Sequence, residues 1–484
     1  ELNGFRSIFQ RRFIFEELFY LQLGFLSKKV NYERNKGIKF HVSKELLNTI
    51  KPYIKFRLTD SQRKVLSEIL NDMARDIQMN RLLQGDVGSG KTIVAFVTAV
   101  VAILNGYQVA VIAPTEILAE QHFNNFKNLM GEKFKAELLT SSVKPKDKEN
   151  IKLLIGSGEV DFVFGTHAII QEDVKFKNLG LAVIDEQHRF GVKQRKALSD
   201  KGYNPDILLM SATPIPRTLA LTLYGDLDIS IIDEMPPGRT PISTKSFPQK
   251  DEEKVYKLIK DEVESGNLVY VVYPLIKESE KMDLKSAEDG FSKFSGIFGN
   301  GQVGLIHGKM SPEEKRLVME SFRNKSIKIL VSTTVIEVGV DVPDATVILI
   351  QNAERFGLSQ LHQLRGRIGR GNKKSHCYLV YSDRASEDGL KRIFSLERYS
   401  SGFKLAEIDL EMRGPGDFFG VRQSGIPSFK FSNIVRDTDI LLLARKESQQ
   451  IIEKDPELSN PEHIVVKQVL LEKWRNNLDF LQTG

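Results

Sequence analysis

Short runs of β-branched and aliphatic residues, separated by longer stretches in which apolar positions recur every three or four, fill two blocks of this chain. In the first, residues 56–235, the runs Arg81–Gln84, Gln108–Ala113, Asp161–Gly165, Leu181–Asp185 and Ile207–Ser211 read as strands, and Ile93–Leu104 reads as a buried helix. In the second, residues 236–390, the strands are Leu268–Tyr273, Val303–His307, Lys328–Ser332, Thr346–Ile350 and His376–Tyr381. Strands alternating with helices predict an α/β fold with a parallel sheet covered on both faces, once in each block. The Pro- and Gly-dense run Asp233–Pro241 interrupts the pattern and reads as a linker. One helix start is unusually clear: Ser311-Pro312-Glu313-Glu314 combines an N-cap serine, a proline at the first helical position and a capping-box glutamate.

Two flanking stretches differ. Residues 1–55 begin with Phe5–Leu26, an apolar helix with Arg and Glu interspersed, which reads as a docking element packed on something larger. Residues 391–484 read as helical segments around a glycine-rich loop, Arg413–Gly420. The length of 484 residues exceeds one ordinary core.

Composition narrows the class. Hydrophobic content of 41% and charged content of 27% suit a globular protein, and no apolar run reaches the roughly 18 residues of a membrane span. The single Cys377 excludes a disulfide within the chain and fits a reducing, cytoplasmic setting. A net charge of +6 suits a polyanion partner without requiring one. The chain opens at Glu1 with no signal-like segment and reads as a piece of a longer polypeptide.

Candidate chemistry is concentrated in Gly85-Asp-Val-Gly88-Ser89-Gly90-Lys91-Thr92, where G-x-x-x-x-G-K-T gives successive backbone N–H groups a concave path around a phosphate. Lys91 is placed to reach the β and γ phosphates, and Thr92 to set its hydroxyl on Mg²⁺. Downstream, an apolar strand ends in Asp185-Glu186. The first carboxylate is placed to hold Mg²⁺ directly or through water, and the second to polarise an attacking water. Arg367 and Arg370 stand at i and i+3 beside Gly366 and Gly369, which on a helix would give them one face, suitable for arginine fingers or for a solvated basic surface.

These blocks fall in an order that resembles superfamily 2 helicases. Asp185-Glu-Gln-His188 resembles their DEAH-like box, and Phe56-Arg-Leu-Thr-Asp-Ser-Gln62 their adenine-reading glutamine motif. Ala113-Pro-Thr-Glu116 and Gly165-Thr-His167 resemble the strand-contacting blocks, and Ser211-Ala-Thr213 the coupling motif. Ser332–Asp341 and Gln360–Arg370 resemble the two blocks that close over the nucleotide. DEQHRFGV at Asp185–Val192, SATPIPRT at Ser211–Thr218, Pro236-Pro-Gly-Arg239 and the run from Arg413 to Gly425 are similar to the RecG family of bacterial branch-migration helicases.

The resemblance implies two tandem RecA-like P-loop helicase domains, ATP-binding at 56–235 and helicase C-terminal at 236–390. A linker segment at 1–55 and a translocation-motif region at 391–484 flank them. It implies ATP and Mg²⁺ as cofactors. Lys91, Asp185, Glu186, Gln363, Arg367 and Arg370 are the implied catalytic residues. Gln62, Gly85, Gly88, Ser89, Gly90, Lys91, Thr92, Gly339 and Asp341 are the implied nucleotide-binding residues. Thr115, Thr166, His167, Arg217, Thr334, Arg413 and Gln423 would contact DNA or couple stepping to hydrolysis. His188 has no second His at ligand spacing, and the family implies that it links the Asp185 strand to Gln363. Asp341 holds the ribose, relays the nucleotide state or caps a turn.

Branched or duplex DNA is the implied substrate, and single-stranded-DNA-binding protein an implied partner, with a monomer and no membrane. The resemblance implies that the chain is the motor portion, without the family's N-terminal wedge domain. Two rivals remain. A transcription-repair coupling translocase shares the C-terminal motif, although Asp185-Glu-Gln-His and Pro236–Arg239 favour RecG. A nucleotide-gated DNA-binding module would have a silent motor.

Overall fold

The computed structural model describes residues 7–33, 36–186, 197–212, 216, 220, 227–238, 240–274, 280–333, 342–371, 373–418, 429–434 and 436–473. They form two compact units, the first comprising Glu1–Gly85, Lys91–Asp233 and Leu410–Gly484, the second Asp86–Gly90 and Glu234–Asp409.

In the first unit the helices α1 (Ile8–Glu33), α2 (Lys44–Ile50) and α3 (Asp60–Met73) precede the sheet. The strands are β1 (Asn80–Gly85), β2 (Gln108–Ile112), β3 (Ala136–Leu139), β4 (Phe162–Gly165), β5 (Leu179–Ile184), β6 (Asp206–Ser211) and β7 (Asp228–Ile232). Helices α4 (Lys91–Leu104), α5 (Glu116–Met130) and α6 (Pro145–Ser157) alternate with them. The described strands form one parallel sheet in the order β3-β4-β2-β5-β6-β1-β7.

Strand side chains point alternately to opposite faces, so a sheet buried on both sides needs apolar residues at every position. Leu83, Val109, Val111, Leu181, Val183, Leu208 and Met210 meet one core with α3 and α4. Leu82, Ala110, Ile112, Ala182, Ile184, Ile207 and Leu209 meet the other with α6. This accounts for the unbroken apolar runs in the sequence, and parallel pairing brings the carboxyl ends of β1, β2, β4, β5 and β6 to one edge.

The second unit repeats the plan with β8 (Ile242–Pro248), β9 (Leu268–Val272), β10 (Val303–Ile306), β11 (Ile329–Ser332), β12 (Ala345–Ile350) and β13 (Ser375–Tyr381). They pair in parallel as β10-β11-β9-β12-β13-β8. The capping box at Ser311 forms: Ser311 Oγ accepts from Glu314 N at 3.2 Å, and Glu314 Oε2 from Ser311 N at 2.7 Å. Three strands escape the periodicity reading. β3 is short, β7 is only partly buried, and β8 alternates the exposed Ser243 and Lys245 with the half-buried Ile242, Thr244 and Ser246.

The apolar N-terminal helix runs beyond Leu26, to Glu33, and packs against the helix Thr438–Lys454. Ile14, Leu18, Leu21 and Phe25 share a core with Leu410, Ile440, Leu441 and Ala444. The Glu17 carboxylate accepts N–H bonds from Lys430, Phe431 and Ser432. One expectation is corrected here. Residues 413–418 are the end of the helix Gly402–Phe418 and not part of a loop. Proline disfavours a helix interior by about 3 kcal/mol, yet Pro415 lies in the last turn, after Leu405 and Leu410 have anchored the helix in buried surroundings.

Candidate active site

The phosphate loop follows β1, and Asp185-Glu186 follows β5, with only β6 between the two strands. Two inter-strand spacings put the tips about 10 Å apart. Lys91 opens α4, is buried, and donates from Nζ to Gly85 O at 2.8 Å. Thr92 occupies the next position, in the first turn of the same helix. Gly88 and Gly90 take φ of +78° and +89°, a left-handed backbone that a side chain would strain.

Asp185 is fixed through both carboxylate oxygens. Oδ2 lies 2.8 Å from His122 Nε2, Oδ1 accepts from Glu186 N at 3.0 Å, and Asp185 N donates to Ile112 O at 2.8 Å. Burial pushes this carboxyl up, but the His122 ring, the Lys91 charge and the Glu186 N–H outweigh it and hold it below the ordinary carboxylate range. Glu186 has φ +53°, a left-handed conformation that costs a non-glycine residue about 1–3 kcal/mol and persists where the surroundings enforce it.

The chain's own donors suit Mg²⁺ only as a shared ligand set. Among the described residues no three His, Cys, Asp or Glu gather as a metal site, which leaves the Thr92 hydroxyl and the Asp185 carboxylate. Mg²⁺ commonly takes one or two protein oxygens and completes its octahedron with phosphate oxygens and waters, so this donor set fits.

Other residues singled out from the sequence are placed less simply. Gln62 is buried and closes a capping box on α3: its Oε1 accepts from Thr59 N at 3.0 Å, and its own N donates to Thr59 Oγ1 at 3.1 Å. Thr115 is the N-cap of α5, its Oγ1 accepting from Leu118 N. Thr166 is buried, its hydroxyl without a partner among the described residues, whereas His167 beside it is exposed. Gly165 is demanded by packing, since a Cβ there would lie 2.1 Å from Leu139 O.

In the second unit Gln363 lies in the helix Leu358–Arg365. Arg367 and Arg370 do not share a helical face: the helix ends at Arg365, Gly366 caps it, and Gly369 at φ +72° turns the chain. Two glycines within four residues terminate the helix where the i, i+3 spacing assumed that it continued. Arg367 is buried and Arg370 half-buried, its Nε donating to Gly366 O at 3.4 Å. His188, Arg217, Thr334, Gly339, Asp341 and Gln423 lie outside the described residues, as does the Arg413 side chain.

Four candidates, His122, Asp86, His362 and Arg365, went unseen in the sequence. His122 sits among Leu118, Ala119, Phe126 and Met130 on the buried face of α5, a spacing that reads as core. Asp86, inside the phosphate loop, accepts from His362 Nε2, from Val87 N at 2.7 Å and from Gly402 N at 3.0 Å. Arg365 Nη2 in turn donates to His362 Nδ1 at 2.9 Å, and its guanidinium also bonds the carbonyls of Leu396, Tyr399 and Ser400. Burial pushes the Asp86 carboxyl up, but the His362 ring and the Gly402 and Val87 N–H groups hold it below the ordinary range.

The chain is similar to known proteins along most of its length. The DEAD/DEAH box helicase family matches residues 59–222, the helicase conserved C-terminal domain 250–372, and the ATP-dependent DNA helicase RecG domain 3 C-terminal family 399–483. An ATP-dependent DNA helicase RecG of Aquifex aeolicus is 48% identical over 99% of this chain and 61% of its own length. One of Bacillus subtilis is 47% identical over 96% of the chain and 68% of its own length. The chain thus spans about three-fifths to two-thirds of these two relatives. A solved structure of RecG bound to a three-way DNA junction matches with TM-score 0.73 and 44% identity, covering 89% of this chain and 57% of that one.

Proposed function

The chain belongs to the RecG family, and from that premise we propose that it is an ATP-driven motor on double-stranded DNA that remodels branched substrates, regressing stalled forks and migrating Holliday junctions. The observation that carries this reading is the phosphate loop and the fixed Asp185-Glu186 pair on one carboxyl edge, separated by a single strand.

Lys91 exchanges Gly85 O for the β and γ phosphates, and the loop N–H groups with the start of α4 cradle their charge. Thr92 and Asp185 would hold the metal. Mg²⁺, when bound, neutralises phosphate oxygens. Glu186, in its enforced left-handed geometry, orients the attacking water and accepts its proton. Gln363, Arg367 and Arg370 are assigned to sensing and offsetting charge on the transferred phosphoryl. Gln62 and the loop residues Gly85, Gly88, Ser89 and Gly90, with Gly339 and Asp341, are assigned to the nucleotide.

Thr115, Thr166, His167, Arg217, Thr334, Arg413 and Gln423 are assigned to the DNA backbone or to coupling. Contacts of that kind position a duplex without reading its sequence, so binding is expected to be salt-sensitive. Family membership also supports a monomeric, cytoplasmic enzyme that meets single-stranded-DNA-binding protein. Among the described residues no helix is long and apolar enough to cross a membrane.

The test is ATP hydrolysis with a three-way junction, blunt duplex or single strands. Junction-stimulated turnover that Lys91→Ala abolishes supports the motor. Tight junction binding without turnover supports the nucleotide-gated module, and turnover unaffected by Lys91→Ala sinks the assignment of the loop.

A further inference from the structure

His122 holds a charged neighbour where packing alone would call for a hydrocarbon. It lies on the buried face of α5 between Leu118 and Phe126, is 4% exposed, and meets the ring of Phe96 edge-on at 6.5 Å between centroids. Phe96 belongs to α4, the helix that Lys91 and Thr92 open, so one imidazole touches both the helix carrying the phosphate-loop residues and the acid after β5. Burying an imidazole in this setting is unfavourable unless its polar atoms are used. Nε2 is used, on Asp185, while Nδ1 is buried and has no hydrogen-bond partner among the described residues. A ring kept only for packing would leave neither the carboxylate nor the orphaned nitrogen to explain.

The hydrogen bond has a directional consequence. With Oδ1 taken by the Glu186 N–H and Oδ2 by His122, the carboxylate plane cannot rotate, and each oxygen keeps a lone pair on a fixed bearing. Without His122 only the Glu186 N–H would hold the Asp185 carboxylate among the described residues, and one bond leaves its plane able to turn about its last torsion.

We propose that His122 is a positioning residue that, through Asp185, sets where the nucleotide's Mg²⁺ is held. The inference rests on the assignment of Asp185 as the metal carboxylate. Outer hydrogen-bond partners of this kind orient a ligand, and their loss typically costs about 10- to 100-fold in metal affinity. His122 does not itself touch substrate or metal.

The experiment measures equilibrium binding of a fluorescent ATP analogue to the full chain, with Mg²⁺ and with a chelator, and Mn²⁺ binding by electron paramagnetic resonance. His122→Phe keeps the ring against Phe96 but lacks the donor. It is expected to reduce the metal-dependent gain in nucleotide affinity about tenfold and to weaken Mn²⁺ binding similarly, with metal-free affinity unchanged. His122→Gln, whose amide can reach Asp185, is expected to restore most of the gain, and the shorter His122→Asn is not. If the phenylalanine variant does not fold, the Gln and Asn pair carries the test by itself.

Equal loss of affinity with and without metal, or a metal-dependent gain that no variant alters, overturns the proposal. Asp185→Asn separates the two levels. If it abolishes the metal-dependent gain while the His122 variants do not, only the positioning role falls; if it leaves the gain intact, the assignment of Asp185 falls with it.

Discussion

Each unit contains a carboxylate–imidazole pair next to a strand-tip loop, and the two pairs are buried alike: side-chain exposures are 6% and 13% for His122 and Asp185, 8% and 11% for His362 and Asp86. What differs is the far side of the ring. His122 Nδ1 has no partner among the described residues, whereas His362 Nδ1 accepts from Arg365, which is held by three backbone carbonyls. Arg365 has only donors, so His362 Nδ1 accepts from it and Nε2 is left to face Asp86 as the donor. The second pair is a closed chain from carboxylate to guanidinium, while the first ends at one bond. Burial alone therefore does not distinguish a structural lock from a lone tether; the second ring nitrogen does.

The sharpest way to break this contrast is to remove each imidazole. His362→Ala takes one hydrogen-bond partner each from a buried carboxylate, which keeps the Val87 and Gly402 N–H groups, and a buried guanidinium, which keeps three carbonyls, and is expected to cost about 3 kcal/mol of stability, read by urea unfolding. His122→Ala strands one carboxylate that keeps the Lys91 charge and the Glu186 N–H nearby, so a loss of about 2 kcal/mol is expected in the same assay. Equal losses would show that Arg365 adds nothing. Arg365→Lys retains the charge but not the planar fork that serves His362 and the carbonyls, and about 1–2 kcal/mol should be lost.

A third pair, Asp455–His463, gives the smallest effect and a pH signature. Burial would raise the Asp455 carboxyl, but Asn460 N–H, the His463 ring and the Ser459 N–H and hydroxyl bring it down to about 2. An acid with a depressed folded value stabilises fully above its unfolded value of about 3.9, and that contribution is lost as pH falls through about 2. His463→Ala should shrink the contribution and shift its loss to higher pH, measured as urea midpoints across an acid series.

The contrast also marks how far the sequence could be read. The phosphate loop, the strand ending at Asp185-Glu186 and the Ser311 capping box were legible because neighbouring residues fix each of them. The arginine pair was misplaced for the same local reason in reverse: i, i+3 spacing means one face only while a helix continues, and Gly366 and Gly369 end it. Gln62 reads in the sequence as the adenine-contacting glutamine, while Thr59-x-x-Gln62 also spells a capping box, and that is the hydrogen bonding it shows.

The sequence by itself determined the two parallel sheets and the loop that offers N–H groups to a phosphate, because period-two burial and glycine's backbone freedom are properties of short segments. It also carried the family, through blocks of adjacent residues. Only the tertiary structure decided which histidine meets which carboxylate, why Gly165 admits no side chain beside Leu139 O, and that the helix Ile8–Glu33 shares a core with Thr438–Lys454. Those outcomes depend on how elements far apart along the chain pack, and a His on an apolar helical face spells the same pattern whether it fills a core or grips an acid.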